Sequence, residues 1–163
     1  MANLASTYQS QGRWKEVEPL EHPDTLFRMG NLAAKYWSQG RRNEAVSLQR
    51  QAVESSKRVL GEEHPDTLVL TSSLASAYAD QCQWEETIEL AIQVVRTSKW
   101  VLGEEHPDTL SRMTDLASFY SDHGQWNKAQ PLQMQVIQAS RRVLGEEHPA
   151  ALGAIHNLAI TWD

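Results

Sequence analysis

Histidine is the residue type in this sequence whose number and spacing could support chemistry, either as a metal ligand or as a general acid and base. The chain has six histidines, and four of them precede a proline at intervals of 42 residues: His22, His64, His106 and His148. A residue that recurs at one position of a repeat is expected to shape that repeat. Side chains one repeat apart are also too distant to share a metal ion at ~2.0–2.1 Å. We therefore predict a structural role for these four histidines and no metal site.

A second group, Asp80, Asp122 and His123, could act in acid–base catalysis if the fold brought its members together. His123 precedes Gly124, which favours a simpler role at the end of a helix. The sequence contains no glycine-rich phosphate loop, no Gly-x-Ser-x-Gly and no His-x-x-x-His pair. We predict a protein that is not an enzyme and has no cofactor. A small-molecule or catalytic groove around Trp37, Asp80 and His123 is the alternative.

Composition and charge exclude several classes of partner. The 163 residues include 15 Lys and Arg against 21 Asp and Glu, a net charge of −6 with no basic run, so nucleic acid is not an expected partner. No stretch approaches the ~18 apolar residues of a membrane span, and the first residues lack the features of a secretory signal. The single cysteine, Cys82, forms no internal disulfide and favours a reducing compartment. These features predict a cytoplasmic protein without a membrane partner.

Any functional side chain must be positioned by a repeated pair of helices. The segment Val59–Leu68 recurs letter for letter as Val101–Leu110 and returns, with a different ending, from Val143. In each unit a His-Pro pair starts a helix, and apolar residues then follow at spacings of three and four, as on one helix face. A second helix with its own apolar stripe comes after a turn. Since such a pair cannot bury its stripe alone, neighbouring pairs must stack, and the sequence predicts an all-α solenoid.

The repeat divides the chain into a single array of unequal units. We assign residues 1–20 to a truncated unit, 21–62, 63–104 and 105–146 to full units, and 147–163 to a half unit. The first helices are predicted to begin near Asn3, Pro23, Pro65, Pro107 and Pro149. Both ends lack the polar caps that solenoids usually carry, which suggests a piece of a longer array. Bare apolar ends also favour a second hypothesis, a homo-oligomer that assembles through the chain ends.

The block Leu-Ala-x-x-Tyr, as in Leu32–Tyr36 and Leu116–Tyr120, is followed four residues later by glycine. This block resembles the signature of tetratricopeptide repeats. The period of 42 residues and the His-Pro-Asp-Thr-Leu linker are similar to the kinesin-light-chain type, which also occurs in the sensor region of nucleotide-binding signalling ATPases. The resemblance implies a non-catalytic scaffold for protein–protein interaction, in which the first helices line a concave groove that binds a peptide segment of a partner.

The peptide-binding residues that the resemblance implies lie on the first helices, opposite the packing stripe. This face is small, rich in hydroxyl groups and mildly acidic, with almost no Lys or Arg and with Phe27 and Trp37 as apolar anchors off the packing stripe. Such a face would accept hydrogen bonds from the donors of a peptide. The predicted site comprises Phe27, Asn31, Trp37, Ser73, Ser76, Asp80, Asp115, Ser118, Asp122, His156 and Asn157.

Two further residues depart from the repeat in informative ways. Trp100 takes the place of Arg58 and Arg142, which predicts an exposed position on the outer face. Cys82 stands where other units have Gly40 and Gly124, so we predict a tolerated turn substitution and not a reactive thiol. One aromatic residue recurs instead: Trp14, Trp84 and Trp126 share one repeat position at the start of second helices, and all three are predicted to pack between neighbouring pairs.

Overall fold

A computed structural model of the protein describes residues 23–144, and within them it contains six α-helices and no β-strand. In chain order the helices are α1 (Pro23–Ser38), α2 (Arg42–Val59), α3 (Pro65–Ala79), α4 (Trp84–Leu102), α5 (Pro107–Asp122) and α6 (Trp126–Leu144). The predicted all-α architecture is confirmed. The helices predicted near Asn3 and Pro149, the units 1–20 and 147–163, and the contacts predicted at the chain ends lie outside the described residues.

The start of each first helix follows from its local sequence. Proline is the first residue of α1, α3 and α5, as predicted. At α3 the Nδ1 of His64 accepts a hydrogen bond from the backbone N–H of Asp66, at 3.2 Å. At α5 His106 accepts from the N–H of Asp108 in the same way, at 3.2 Å. These two repeated histidines are helix N-caps, which confirms their predicted structural role.

The helices form two layers, and their buried apolar residues lie in two clusters. Each helix packs mainly on its neighbours in sequence, as in a solenoid. One core cluster joins α2 to α3 through Val46, Val53, Leu74, Ala77 and Tyr78. A second cluster joins α4, α5 and α6 through Ala91, Val95, Leu110, Met113, Leu116, Tyr120, Ala129, Val136 and Ile137. The apolar stripes predicted for both helices of a unit are therefore the surfaces that the fold buries.

Contacts between alternate helices define the layers. A Cβ on Gly30 of α1 would lie 3.2 Å from the Cδ2 of Leu70 in α3, so these two helices are close. In the other layer, the Nζ of Lys57 in α2 donates to the Oε1 of Gln93 in α4, at 3.5 Å. We call the exposed face of α1, α3 and α5 the inner surface, and that of α2, α4 and α6 the outer surface. Among the described residues no helix has the length and apolar character needed to cross a membrane.

Candidate functional site

Most of the predicted site residues that the structure describes lie on the inner surface. Asn31 is exposed on α1, and the half-buried Ser118 lies on α5. The other exposed members are Ser73, Ser76, Asp80, Asp115 and Asp122. Of Phe27 the structure describes only its place in α1, and His156 and Asn157 lie outside the described residues. The periodicity of the first helices therefore assigned these described side chains, other than Trp37, to a face that the core leaves accessible.

Trp37 requires a correction, because it is not off the packing stripe. Its side chain is half-buried and packs against the cluster that contains Val46, Leu74 and Tyr78. The guanidinium of Arg42 lies 5.4 Å from the centre of its ring. The position of Trp37 in α1 predicted that its side chain would point away from the core. The indole is large, however, and it contacts the core cluster that α2 and α3 form. Trp37 is therefore part of the core boundary more than an anchor for a ligand.

The hydroxyl groups of the inner surface donate their protons to the protein itself. Ser73 donates to the carbonyl of Val69 at 3.1 Å, and Ser76 to that of Ser72 at 3.2 Å. On α5, Thr114 donates to the carbonyl of Leu110 at 3.0 Å. Each of these hydroxyls bonds the carbonyl four residues earlier, a common arrangement for serine and threonine inside helices. What they offer to a ligand is an oxygen lone pair, which is an acceptor.

The carboxylates of this surface occupy electrostatically unfavourable places. Asp80 caps the C-terminus of α3 and Asp122 is the last residue of α5. Both lie at the negative end of a helix dipole, where a cation would be stabilised and an anion is not. Although Asp115 is exposed at the surface, partial desolvation of its carboxyl raises the pKa of this group, and the charge of Arg112 opposes that rise. Within residues 23–144 none of the three forms an ion pair.

Arg112 is a member of this surface that sequence reasoning missed. Its Nη1 donates to the Oγ of Ser72 at 3.1 Å and so bridges α5 and α3. Its Nε is buried without a hydrogen-bond partner among the described residues. Arg112 lies beside the predicted stripe, whose own members include no Lys or Arg. The sequence did contain a signal for this contact. Arg112 is one repeat after Leu70, and Leu70 of α3 lies close to Gly30 of the preceding first helix, α1. A residue at this repeat position is therefore expected to lie near the preceding first helix.

His123 does not join Trp37 and Asp80 around one groove. Its ring stacks on Trp84 with centroids 5.5 Å apart, on the side of the molecule formed by the second helices. The two rings belong to the wall of a cavity of about 400 Å³ between α4 and α6, which is lined by Trp84, Glu85, Ile88, Glu89, Ile92, His123, Gln125 and Lys128. The stack confirms the predicted packing of Trp84 between neighbouring pairs. The same prediction was wrong for Trp126, which is 47% exposed, and Trp14 lies outside the described residues. Within the described part of the chain, no three His, Cys, Asp or Glu side chains come together as a metal site.

The outer layer differs between the unit that borders the cavity and the unit before it. In α2 the Nε of the exposed Arg50 donates to the hydroxyl of Tyr78 in α3, at 3.1 Å. One repeat later, Ile92 stands in place of Arg50 and Tyr120 in place of Tyr78. Isoleucine is shorter than arginine and has no donor for the phenol. The equivalent hydrogen bond is therefore absent where Ile92 lines the cavity.

Comparison with known proteins agrees with this architecture. The family model of the tetratricopeptide repeat matches the chain three times, over residues 25–66, 67–108 and 109–150. Each match has the 42-residue length of the units in the sequence, in a register four residues later than ours. Among curated proteins, none matches the chain significantly.

Solved structures of repeat proteins are similar over most of the chain. A kinesin-light-chain protein from Podosopora anserina with nearly identical TPR-like repeats is 36% identical, with a TM-score of 0.77 over 88% of this chain and 68% of that one. A variant of that protein gives 33% identity and a TM-score of 0.80 over 98% of this chain and 82% of that one. BtubC from P. vanneervenii shares the fold, at 20% identity and a TM-score of 0.74, over 98% of this chain and 69% of that one.

Proposed function

The chain belongs to the tetratricopeptide repeat family, and we propose that it is a non-catalytic scaffold that binds a peptide segment of a partner protein on the inner surface. Repeats of this family generally mediate protein–protein interaction. The proposal adds a place, the face of α1, α3 and α5, and a mode, recognition without chemistry. Open helical surfaces of this kind bind a segment through many small contacts.

The observation that supports the proposal is the excess of hydrogen-bond acceptors on the part of this face that α3 and α5 form, whereas on α1 the bases Arg28 and Lys35 are exposed. Ser73 and Ser76 have already donated their protons, and Asp80 and Asp122 carry charges that no described residue neutralises. A ligand that supplies N–H donors and positive charge would satisfy these groups, and it would also relieve the cost of two anions at helix C-termini. We therefore propose a partner segment rich in lysine or arginine.

Two other residues of the inner surface could bind particular groups of a peptide. Asn31 is exposed and can both donate and accept, which suits the amide groups of an extended peptide backbone. Arg112 is half-buried and already donates from its Nη1 to Ser72, and the positive charge of its guanidinium would favour a peptide carbonyl or carboxylate nearby. Because the hydrogen-bonding groups are spread along helices and few deep pockets are available, we expect an affinity on the order of micromolar for a short peptide.

A peptide array of random sequences tests this function and does not require that the partner be identified first. The labelled chain is expected to retain sequences enriched in lysine and arginine. The double substitution Asp80→Asn and Asp122→Asn should remove this enrichment, because it keeps the shape of both side chains and deletes their charge. Glu54→Gln, a neutralised carboxylate on the outer surface, is the matched control and should retain it. Bound sequences that are acidic or neutral, or an unchanged profile in the double variant, would contradict the proposal.

A further inference from the structure

The outward face of α4 carries an ordered stripe of exposed residues. Glu85, Glu89, Ile92, Arg96 and Trp100 follow one another at spacings of three and four, which places them on one side of the helix. Trp100 is 80% exposed and Ile92 is 44% exposed, both high values for large apolar side chains. The stripe is acidic at its start, apolar in its middle, and basic and aromatic at its end.

The charged residues of this stripe form no ion pair with any residue between 23 and 144. Glu85 and Glu89 are one turn apart and repel each other, which weakens a helix slightly. Arg96 has Ile92, Gln93, Lys99 and Trp100 at the neighbouring turns, and none of these is acidic. Among the described residues, neither glutamate nor Arg96 forms an ion pair. These exposed charges are solvated by water and counterions, and they are available to pair with the charges of another molecule.

Matched positions in the other second helices lack this pattern. The corresponding residues are Asn43, Ser47, Arg50, Glu54 and Arg58 in α2, and Asn127, Pro131, Met134, Gln138 and Arg142 in α6. Neither set has acids at the start together with a base and an aromatic residue at the end. Since the three helices occupy equivalent places in one solenoid, the fold does not require the residues of the α4 stripe.

The order of the stripe is self-complementary. Glu89 and Arg96 are equally far from the point between Ile92 and Gln93, and so are Glu85 and Trp100. A second α4 running antiparallel about that point would place each glutamate of position 89 opposite an arginine of position 96. The two isoleucines would meet at the centre. This is the condition for a two-fold interface, in which residue i contacts residue j and residue j contacts residue i.

We propose that the outer surface of α4 is a docking surface for a second copy of this chain, with the two α4 helices antiparallel. In this pair Ile92 packs on its own counterpart, and Glu89 faces Arg96 across the two-fold axis in both directions. Trp100 lies over the N-terminal half of the opposite α4, the half that borders the cavity of about 400 Å³ with Trp84 and Ile88 in its wall. The interface leaves the inner surface free, so the inference does not depend on the proposed peptide site.

The small area that two α4 helices can bury limits the affinity of the proposed dimer. From Glu85 to Trp100 the helix is ~22 Å long, and one pair of such helices buries less than the ~1,600 Å² of a standard interface. We therefore expect a dissociation constant in the range of ~10–100 µM for the dimer. Because its ion pairs are at the surface, the association should weaken as the salt concentration rises.

Sedimentation velocity of the whole 163-residue chain, from ~5 to ~500 µM, tests the proposal. The wild type should pass from monomer to dimer over this range. Glu89→Arg and Arg96→Glu should each raise the dissociation constant at least ~10-fold, since each places two pairs of like charges in contact. An equimolar mixture of the two variants should associate about as well as the wild type, because both charge pairs are then opposite again. Trp100→Ala should also weaken the dimer without changing the thermal unfolding midpoint.

Gln138→Glu is the matched control, because it introduces a carboxylate at the position of α6 that corresponds to Arg96, and it should leave the association unchanged. A wild type that stays monomeric over the whole range would overturn the proposal. So would a dimer that both charge reversals and Trp100→Ala leave intact, since association would then use another surface. Failure of the mixed variants to pair would exclude the antiparallel register.

Discussion

Cys82 offers a direct test of how local conformation limits the stability of this array. Within residues 23–144 it is the only residue other than glycine with a positive φ, at 57°. Its N–H donates to the carbonyl of Ala79 at 2.8 Å, and the next N–H, of Gln83, donates to the carbonyl of Tyr78 at 3.0 Å. This pair of bonds is the Schellman arrangement that ends many helices, and it demands a left-handed residue at this place. Cys82→Gly should therefore stabilise the chain.

The two neighbouring turns set the size of the effect. Gly40 and Gly124 occupy the corresponding positions with φ of 76° and 73°, and nothing lies within 4 Å of a Cβ built on either. The cost of a side chain here is therefore one of backbone conformation, ~1–2 kcal/mol. Glycine gives back ~0.4–1 kcal/mol through the larger entropy of its unfolded chain. The net gain for Cys82→Gly is ~0.5–1 kcal/mol, since the exposed thiol buries little surface.

Urea unfolding followed by circular dichroism measures this difference. The midpoint should rise with an unchanged slope, and the melting temperature should increase by ~1–4 °C. Cys82→Ala is the control for loss of the thiol, and its stability should equal that of the wild type because it keeps the strained backbone. Gly124→Ala should lose about what Cys82→Gly gains. If Cys82→Gly is no more stable than Cys82→Ala, the left-handed conformation is not a significant cost and the reasoning is wrong.

Two further substitutions test the helix caps and the inner surface. His106→Ala should lower the free energy of unfolding by ~1 kcal/mol because it removes the N-cap acceptor of α5, whereas His106→Asn should retain most of that stability; chemical denaturation compares the two. Asp115→Asn should raise stability at neutral pH, because burial raises the pKa of Asp115 and so penalises its charged form in the folded state. This gain should shrink as the pH falls through the raised pKa of the folded state and should vanish below the ordinary value of 3.8, where the carboxyl is neutral in both states; pH-dependent thermal unfolding measures it.

The helices could be predicted from sequence because their signals are local. Pro65 and Pro107 follow a histidine that accepts from the second residue of the helix, and the apolar spacing then continues for four turns. Trp100 was predicted to be exposed because it replaces an arginine of the repeat, and its 80% exposure confirms this. In each case one unit of the array provides the reference for the next. Repetition supplies the comparison that a single sequence normally lacks.

The candidate site was less predictable because it depends on contacts between units. Helical periodicity gives Trp37 a direction, but whether its ring reaches solvent depends on how far the next helix pair lies. Arg112 was missed for a related reason: its role depends on Ser72, 40 residues away, and on the small distance between α3 and α5. The spacing of residues in the sequence of one helix does not determine how far that helix lies from another helix. The packing of adjacent units decides both cases.

The two proposed surfaces can act together on one partner. A dimer through α4 uses the outer layer, so it presents two inner surfaces that face away from the contact. A partner with two basic segments could then bind both copies, and the second segment would bind at an effective concentration of order mM for a short linker. Two micromolar contacts would thus become one tighter complex, provided that the linker spans the distance between the surfaces. Arg96→Glu should reduce binding of such a two-segment partner while leaving the affinity for a single segment unchanged. Equal loss for both would mean that α4 contributes to the peptide site itself.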